Sequence, residues 1–251
     1  VNGRRIMVSP RGMISTEIQV MERDIGEYIL DIVAFDDYDE LSKTLTLEVD
    51  GTSPMINTSA PALIVAGHGQ QATRDGRLVV QVQDRTPDDE ISLTVEINGT
   101  SDEYTLEPGG RETIGLDEGR NEYSIRAYDK ARNMSNVING TIHYLPGPLT
   151  VEIVEPPYNP WIIDDLPPMP RGSRVPTLRV EVEIDDNIGD VPETIRYCRV
   201  SGGGQQYLLR DNGDYTFSGE VPLHRGRNVM TIQVEDLAGN IEMEQLTVEI
   251  E

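Results

Sequence analysis

The sequence is poor in several residue types, and each shortage removes a class of protein. It has one cysteine, Cys198, so no intrachain disulfide can form. It has no run of about 18 apolar residues, so no helix of this chain is expected to span a bilayer. Only Lys43 and Lys130 are lysines; every other basic side chain is an arginine or one of three histidines. Lysine and arginine together number 21 against 44 Asp and Glu, for a formal net charge of −23. Nucleic acid is thereby excluded as the main partner, because phosphate binding needs a basic face. Aromatic residues are 5% of the chain, with one tryptophan and two phenylalanines, yet the hydrophobic share of 37% suffices for packed cores and argues against wholesale disorder.

Catalytic motifs are missing as well. His68, His143 and His224 lie far apart, without the spacing of metal ligands. No Gly-x-Ser-x-Gly elbow occurs. The run Gly202-Gly203-Gly204 sits between two strand-like stretches, so it lacks the helix N-terminus of a phosphate loop and reads as a hairpin turn. Carboxylate pairs are plentiful, but a small sandwich without a deep cleft rarely hosts a glycosidase pair. The chain is read as a non-enzyme. Cys198, between Tyr197 and Arg199 on an alternating stretch, reads as a small buried hydrophobe. The start, Val1-Asn2-Gly3-Arg4-Arg5, has neither an initiator Met nor an apolar run of signal-peptide length. The expectation is a segment of a longer polypeptide or a processed product.

What is present is a repeat. Gly26 to Asp36, Gly119 to Asp129 and Gly226 to Asp236 each span ten positions and enclose an alternating run. Tyr123, Ile125 and Ala127 mark one buried face, and Met230, Ile232 and Val234 another. Period-two alternation predicts half-buried strands. After each of the last two Asp residues comes a short turn, Lys130-Ala131-Arg132-Asn133 or Leu237-Ala238-Gly239-Asn240, and then a second alternating run, 137–144 or 241–250. Strand, turn and strand predict a hairpin, with the Asp and the Asn four residues on satisfying turn backbone groups. Earlier strands are expected at 78–82, 92–97 and 104–106, and again at 178–184, 195–200 and 206–209. No helical stripe of ten residues is visible. The fold class is all-β.

The string Gly-x-Asn, a strand, then Asp236-Leu237-Ala238-Gly239-Asn240 resembles the tandem immunoglobulin-like repeats of bacterial and archaeal surface proteins, including surface-layer proteins. The resemblance implies β-sandwich domains in a row, with the hairpin as strands F and G, and an extracellular location at the cell surface. It implies partners that are neighbouring domains of the same polypeptide or other copies of it. The first repeat departs from the pattern, since Asp36-Asp37-Tyr38-Asp39-Glu40 replaces the turn.

Three segments follow. Residues 1–52 read as the C-terminal half of a sandwich lacking strands A and B, with Val1 inside strand C. Half a sandwich leaves an open apolar face, so the missing strands are expected upstream, with strand donation by another chain or an independent fold as alternatives. Residues 53–147 and 148–251 read as complete domains, joined by short Pro-containing linkers. The last carries a Pro-rich insertion at 156–176. Within it, Trp161 and Ile162 either pin the loop to its own domain or form an interface with a neighbour.

Carboxylates gather where one end of each sandwich is expected. Asp185, Asp186, Asn187 and Asp190 stand against Asp236 and Asn240 in the last segment, and Asp84, Asp88 and Asp89 against Asp129 and Asn133 in the middle one; Asp36, Asp37 and Asp39 belong to the first. In this fold the B–C and F–G loops share a pole. Such oxygens form either a solvated acidic surface or a Ca²⁺ site that stiffens the junction. Four Asn-x-Ser/Thr sequons, at Asn57, Asn98, Asn133 and Asn139, are candidate glycosylation sites. Two function classes remain: a structural component of a surface layer or stalk, and an adhesin or carbohydrate-binding accessory region of a secreted enzyme. The scarcity of aromatic side chains for a sugar platform favours the first.

Overall fold

The computed structural model describes residues 25–35, 40–65, 69–86, 90–163, 175–185 and 194–251. In chain order its strands are β1 (Ile25–Phe35), β2 (Glu40–Asp50), β3 (Met55–Ser59), β4 (Ile64–Val65), β5 (Gln71–Thr73), β6 (Arg77–Gln83), β7 (Ile91–Ile97), β8 (Thr100–Leu106), β9 (Arg111–Gly115) and β10 (Gly119–Tyr128). Then come β11 (Ile138–Tyr144), β12 (Thr150–Glu155), β13 (Trp161–Ile163), β14 (Thr177–Asp185), β15 (Ile195–Gly202), β16 (Gln205–Leu208), β17 (Arg210–Asp211), β18 (Thr216–Pro222), β19 (Gly226–Asp236) and β20 (Ile241–Ile250). The protein is all-β, and no helix among the described residues is long and apolar enough to cross a membrane.

Two compact units divide the chain. The first takes Val1–Asn57, Val80–Glu112 and Ser124–Ile138; the second takes Thr58–Val79, Thr113–Tyr123 and Asn139–Glu251. The middle segment is thus shared between them.

The last hundred residues, within the second unit, form a two-sheet sandwich. One sheet runs β12-β14-β18-β17 and the other β13-β20-β19-β15-β16. Lettered in chain order, these are A-B-E-D and A′-G-F-C-C′, the strand order of an immunoglobulin-like sandwich. Alternation explains the layering: β14 buries Leu178, Val180, Val182 and Ile184 while the residues between them are more exposed, and β19 buries Met230, Ile232 and Val234. These side chains share one core with Val200, Leu246 and Val248. Cys198 lies in that core at 1% exposure, and burial pushes its thiol up to about 12, so it is inert, as its alternating neighbours implied.

The Pro-rich insertion contributes β13, which pairs parallel with β20 and occupies a sheet edge, where proline is tolerated. Trp161 is half-buried against the core of its own sandwich, and Ile162, on the opposite face, is 57% exposed. Residues 164–174 of the insertion lie outside the described set.

The middle segment carries matching elements in the same order, with β4 added and, among the described residues, no counterpart of β17. Within the second unit, β5 pairs parallel with β11 as β13 does with β20. Within the first, β7 and β8 form a hairpin, as β15 and β16 do. The β7–β8 turn is Asn98-Gly99 with φ of 50° and 80°, the two-residue turn whose positive φ values match strand twist.

The first unit also holds β1 and β2, an antiparallel pair in continuous register from Ile25–Asp50 to Phe35–Glu40. Ile29, Val33, Leu45 and Leu47 are substantially exposed on it. The expected strand C near Val1 and the turn at 36–39 lie outside the described residues.

Candidate functional site: paired turns at the sandwich junctions

The three repeat glycines, Gly26, Gly119 and Gly226, all have φ between 89° and 133°, which L side chains resist. Two of them are locked by the asparagine two positions on. Asn121 accepts from the Asp117 N–H (3.0 Å) and donates to the carbonyls of Asp117 (2.7 Å) and Gly119 (3.0 Å). Asn228 does the same with His224 (2.8 and 2.7 Å) and Gly226 (3.0 Å). Each strand F thus starts from a fixed turn.

At the other end of these strands the Asp-x-x-x-Asn turn is built the same way twice. The Asp129 N–H donates to the Asn133 carbonyl (3.2 Å), and the Asn133 N–H donates to Asp129 Oδ1 (2.7 Å). The Asn133 side-chain amide donates to Asp129 Oδ2 (2.7 Å) and to the carbonyl of Asp50 (2.9 Å), the last residue of β2. In the second turn the Asp236 N–H donates to the Asn240 carbonyl (3.1 Å) and the Asn240 N–H to Asp236 Oδ1 (2.8 Å). The Asn240 amide donates to Asp236 Oδ2 (2.6 Å) and to the carbonyl of Leu145 (2.9 Å), one residue past β11. In both cases the asparagine ties the turn of one segment to the end of the last strand of the segment before it.

The two aspartates are nearly sealed, Asp129 at 4% and Asp236 at 2% exposure. For Asp236, burial raises the carboxyl pKa above its usual range, opposed by hydrogen bonds from Asn240 and from the Ala238 and Gly239 backbone. Both oxygens are engaged by the turn.

Around the shared latch the junctions differ. In the second unit, Leu237 and Ala238 of the turn are buried in a cluster with Ala72 and Leu145. A Cβ on Gly147 would come to about 3.0 Å from the Asn240 side chain, so a larger residue there would press on the latch, and its φ of 73° further favours glycine. In the first unit the corresponding Lys130 and Ala131 are exposed, and a polar network stands nearby. Asp50 accepts from the Thr52 N–H (2.8 Å), Thr52 Oγ1 (2.7 Å) and Thr86 Oγ1 (2.6 Å). Asp84 Oδ1 accepts from the Thr86 N–H (3.1 Å). Burial pushes the Asp50 carboxyl up, but the bonds from Thr86 and Thr52 outweigh it and hold the carboxyl below its usual value.

Of the candidate metal ligands, the structure joins Asp129 to Asn133 and Asp236 to Asn240, each pair within one turn. Asp84 belongs to the polar network, and Asp185 is exposed at the end of β14, its carbonyl accepting from Thr150. Asp186, Asn187 and Asp190, Asp88 and Asp89, and Asp36, Asp37 and Asp39 lie outside the described residues. Among the described residues, no group of three or more His, Cys, Asp or Glu side chains could hold a metal ion. Of the sequon asparagines, Asn57, Asn98 and Asn139 are exposed, whereas the Asn133 amide is engaged in the latch and its partner Ser135 is 3% exposed. Asp50, Thr52 and Thr86 escaped the sequence reading, because no repeat spacing points to them.

No protein-family model matches the chain, and no curated protein matches it. Among solved structures it is similar to fibronectin(III)-like modules of Clostridium thermocellum CbhA, at 13% identity and a TM-score of 0.37, over 78% of this chain and 94% of that one. It is similar to a tetra-tandem repeat from the extending region of a large adhesion protein, at 16% identity and a TM-score of 0.39, over 90% and 57%. A third match is a 1.5-MDa bacterial ice-binding adhesin involved in host cell surface retention, at 15% identity and a TM-score of 0.29, over 88% and 74%. With every one of these scores below one half, the sandwich assignment of the last segment rests on its own strand order.

Proposed function

We propose that the chain is a non-catalytic, extracellular protein of tandem β-sandwiches, working as part of a surface stalk or surface layer by holding successive sandwiches in fixed register. The observation that carries this is the repeated latch, in which Asn133 and Asn240 each reach the backbone carbonyl that ends the preceding segment. A row of modules that must keep a fixed register uses the same junction at each step, and the latch is built the same way twice. Its partners are neighbouring sandwiches of the same polypeptide and other copies of the chain. Calcium enters this reading through Asp84, Asp185 and the acidic residues beside them in sequence, and glycans through Asn57, Asn98 and Asn139.

Electron microscopy of isolated cell envelopes tests it. A lattice or filament labelled by antibody to this chain supports the proposal; recovery of the chain only as a soluble internal protein overturns it. Melting with and without chelator tests calcium, where an unchanged midpoint removes it. Intact mass before and after deglycosylation tests the sequons, with no glycan expected on Asn133.

A second reading, an adhesin or carbohydrate-binding region, has support from one feature, a basic cleft beside His224 and Arg227.

A further inference from the structure

The E–F turns of the middle and last segments share one frame and carry opposite charge. In the middle segment the turn reads Leu116-Asp117-Glu118-Gly119-Arg120-Asn121, and in the last Leu223-His224-Arg225-Gly226-Arg227-Asn228. The leading leucines are both buried, and each asparagine locks its turn through the same three hydrogen bonds. On this common frame, Asp117 and Glu118 are replaced by His224 and Arg225. The neighbour of the arginine changes as well. Arg120 is paired with Glu122 at 2.7 Å, but the position of Glu122 is taken by Val229 in the last segment. No ion pair among the described residues uses Arg225 or Arg227; Glu249 faces Arg227 across the strand pair without forming one.

This basic turn borders a cleft of about 300 Å³, open to one side and containing no acidic residue in its lining. Arg227 supplies its positive rim with the His224 imidazole beside it, the Tyr207 ring and Met230 its apolar wall, and Gln205 an amide. The space exists because of glycine. A Cβ on Gly202 would lie 2.8 Å from Met230 Cγ, and Gly203 and Gly204 turn with φ of 59° and 79°, leaving the β15–β16 hairpin without side chains at the mouth. Asn228 also donates to the Val248 carbonyl (3.4 Å), so the basic turn is anchored to strand G before any ligand arrives.

We infer that this cleft is a binding site for a carboxylate-bearing sugar, one hexuronate unit of an acidic polysaccharide. The size is at the low end for ligand clefts, enough for one sugar ring. A planar guanidinium matches a carboxylate in bidentate geometry. A half-buried tyrosine offers an apolar face with a polar tip to a sugar ring, and Gln205 can serve a hydroxyl. In a chain of net charge −23, a cleft whose rim carries an arginine outside any ion pair, with no acidic residue in its lining, favours an anionic ligand locally. The inference goes beyond the stalk proposal, and neither depends on the other: a surface stalk can stand without the site, and the site can bind in a chain that forms no lattice.

The test uses the whole chain. Free glucuronate and galacturonate, a short oligouronide, neutral glucose and a poly-glutamate peptide are titrated by calorimetry. The variant His224→Asp/Arg225→Glu transplants the middle segment's own residues onto the shared frame, so it should fold, and an unchanged melting midpoint checks that. Arg227→Ala removes the guanidinium, and Arg120→Ala in the middle segment is the control. Saturable uronate binding, weakened at least tenfold in both cleft variants and unchanged in the control, supports the site. A larger response to the oligouronide than to the monosaccharides identifies the polymer as source. Equal binding of glucose, binding of the acidic peptide alone, or full binding by the cleft variants overturns it.

Discussion

At the scale of single residues, the latch depends on one side-chain amide that serves two acceptors. Replacing Asn240 by Ala removes the bonds to Asp236 Oδ2 and to the Leu145 carbonyl, while Asp236 stays buried at 2% exposure. A hydrogen bond to a charged group is worth about 1.5–3 kcal/mol, and a buried acceptor left unsatisfied adds its own penalty. Asn240→Ala should therefore lower unfolding free energy by about 2–4 kcal/mol in chemical denaturation, and Asn133→Ala should do the same at the first junction. A change below about 0.5 kcal/mol would mean that the amide is replaceable by water. Part of this site could be read from the chain. The Asp and Asn were legible because both recur at a fixed distance from a repeat glycine. Their shared acceptor was not, because a backbone carbonyl leaves no mark in sequence and Leu145 lies 95 positions from Asn240. Asp50 was hidden for a related reason: it acts through Thr52 and Thr86, side chains common in any strand or turn.

At the scale of elements, the F–G hairpins were legible because alternation and turn chemistry agree over more than twenty residues. The A′ strands were not. β5 and β13 are three residues each, too short for any period, and β13 is embedded among prolines that argue against a strand. Parallel pairing to strand G supplies what local propensity lacks, at an edge where proline is harmless. The E strands, β9 and β18, were missed since Thr, Gly and Glu interrupt their alternation. Comparison of the two F–G turns yields a stability prediction. The third turn residue is Gly239 at φ 79° in one and Arg132 at φ 69° in the other. The left-handed conformation costs a residue with a Cβ about 1 kcal/mol or somewhat more, and glycine almost nothing. Arg132 lies exposed, so little packing is lost with it. Arg132→Gly should stabilise the protein by about 0.5–1 kcal/mol, after the greater backbone entropy of the unfolded glycine is subtracted. Denaturant midpoints of the variant and the parent decide it; a loss of stability would show that the arginine makes a contact worth more than the strain.

At the scale of the whole molecule, acid should act on the two junctions in opposite senses. The Asp50 carboxyl is held below its unfolded value near 3.8, so its contribution is complete above that pH and lost as pH falls through the lower folded value. The Asp236 carboxyl is raised above 3.8, so the unfolded chain gives up that proton first. Its burial penalty is absent in strong acid, grows as pH rises from 3.8 through the folded value, and is complete above it. Hydrogen exchange at about pH 3 to 5, corrected for intrinsic rates, should show the Thr52 amide, which donates to Asp50 Oδ1, losing protection toward acid while those of Gly239 and Asn240 hold or gain. Parallel loss at both turns would contradict the assignment.

The surplus of negative charge adds a term that belongs to no single junction. With 44 acidic against 21 basic residues and a pI near 4.4, the folded chain repels itself at neutral pH, and folding brings those charges closer together. The few ion pairs described are surface pairs between residues close in sequence or on neighbouring strands, too weak to offset it. Salt shortens the reach of repulsion from about 10 Å at 0.1 M to about 3 Å at 1 M. The melting midpoint at pH 7 should therefore rise steadily with NaCl across that range, the reverse of a protein held together by surface ion pairs. Calcium chloride at matched ionic strength separates the two electrostatic accounts. Screening by itself predicts the same midpoint in both salts, whereas an ion seated among the junction carboxylates gives calcium an excess that saturates at low concentration and disappears on adding chelator.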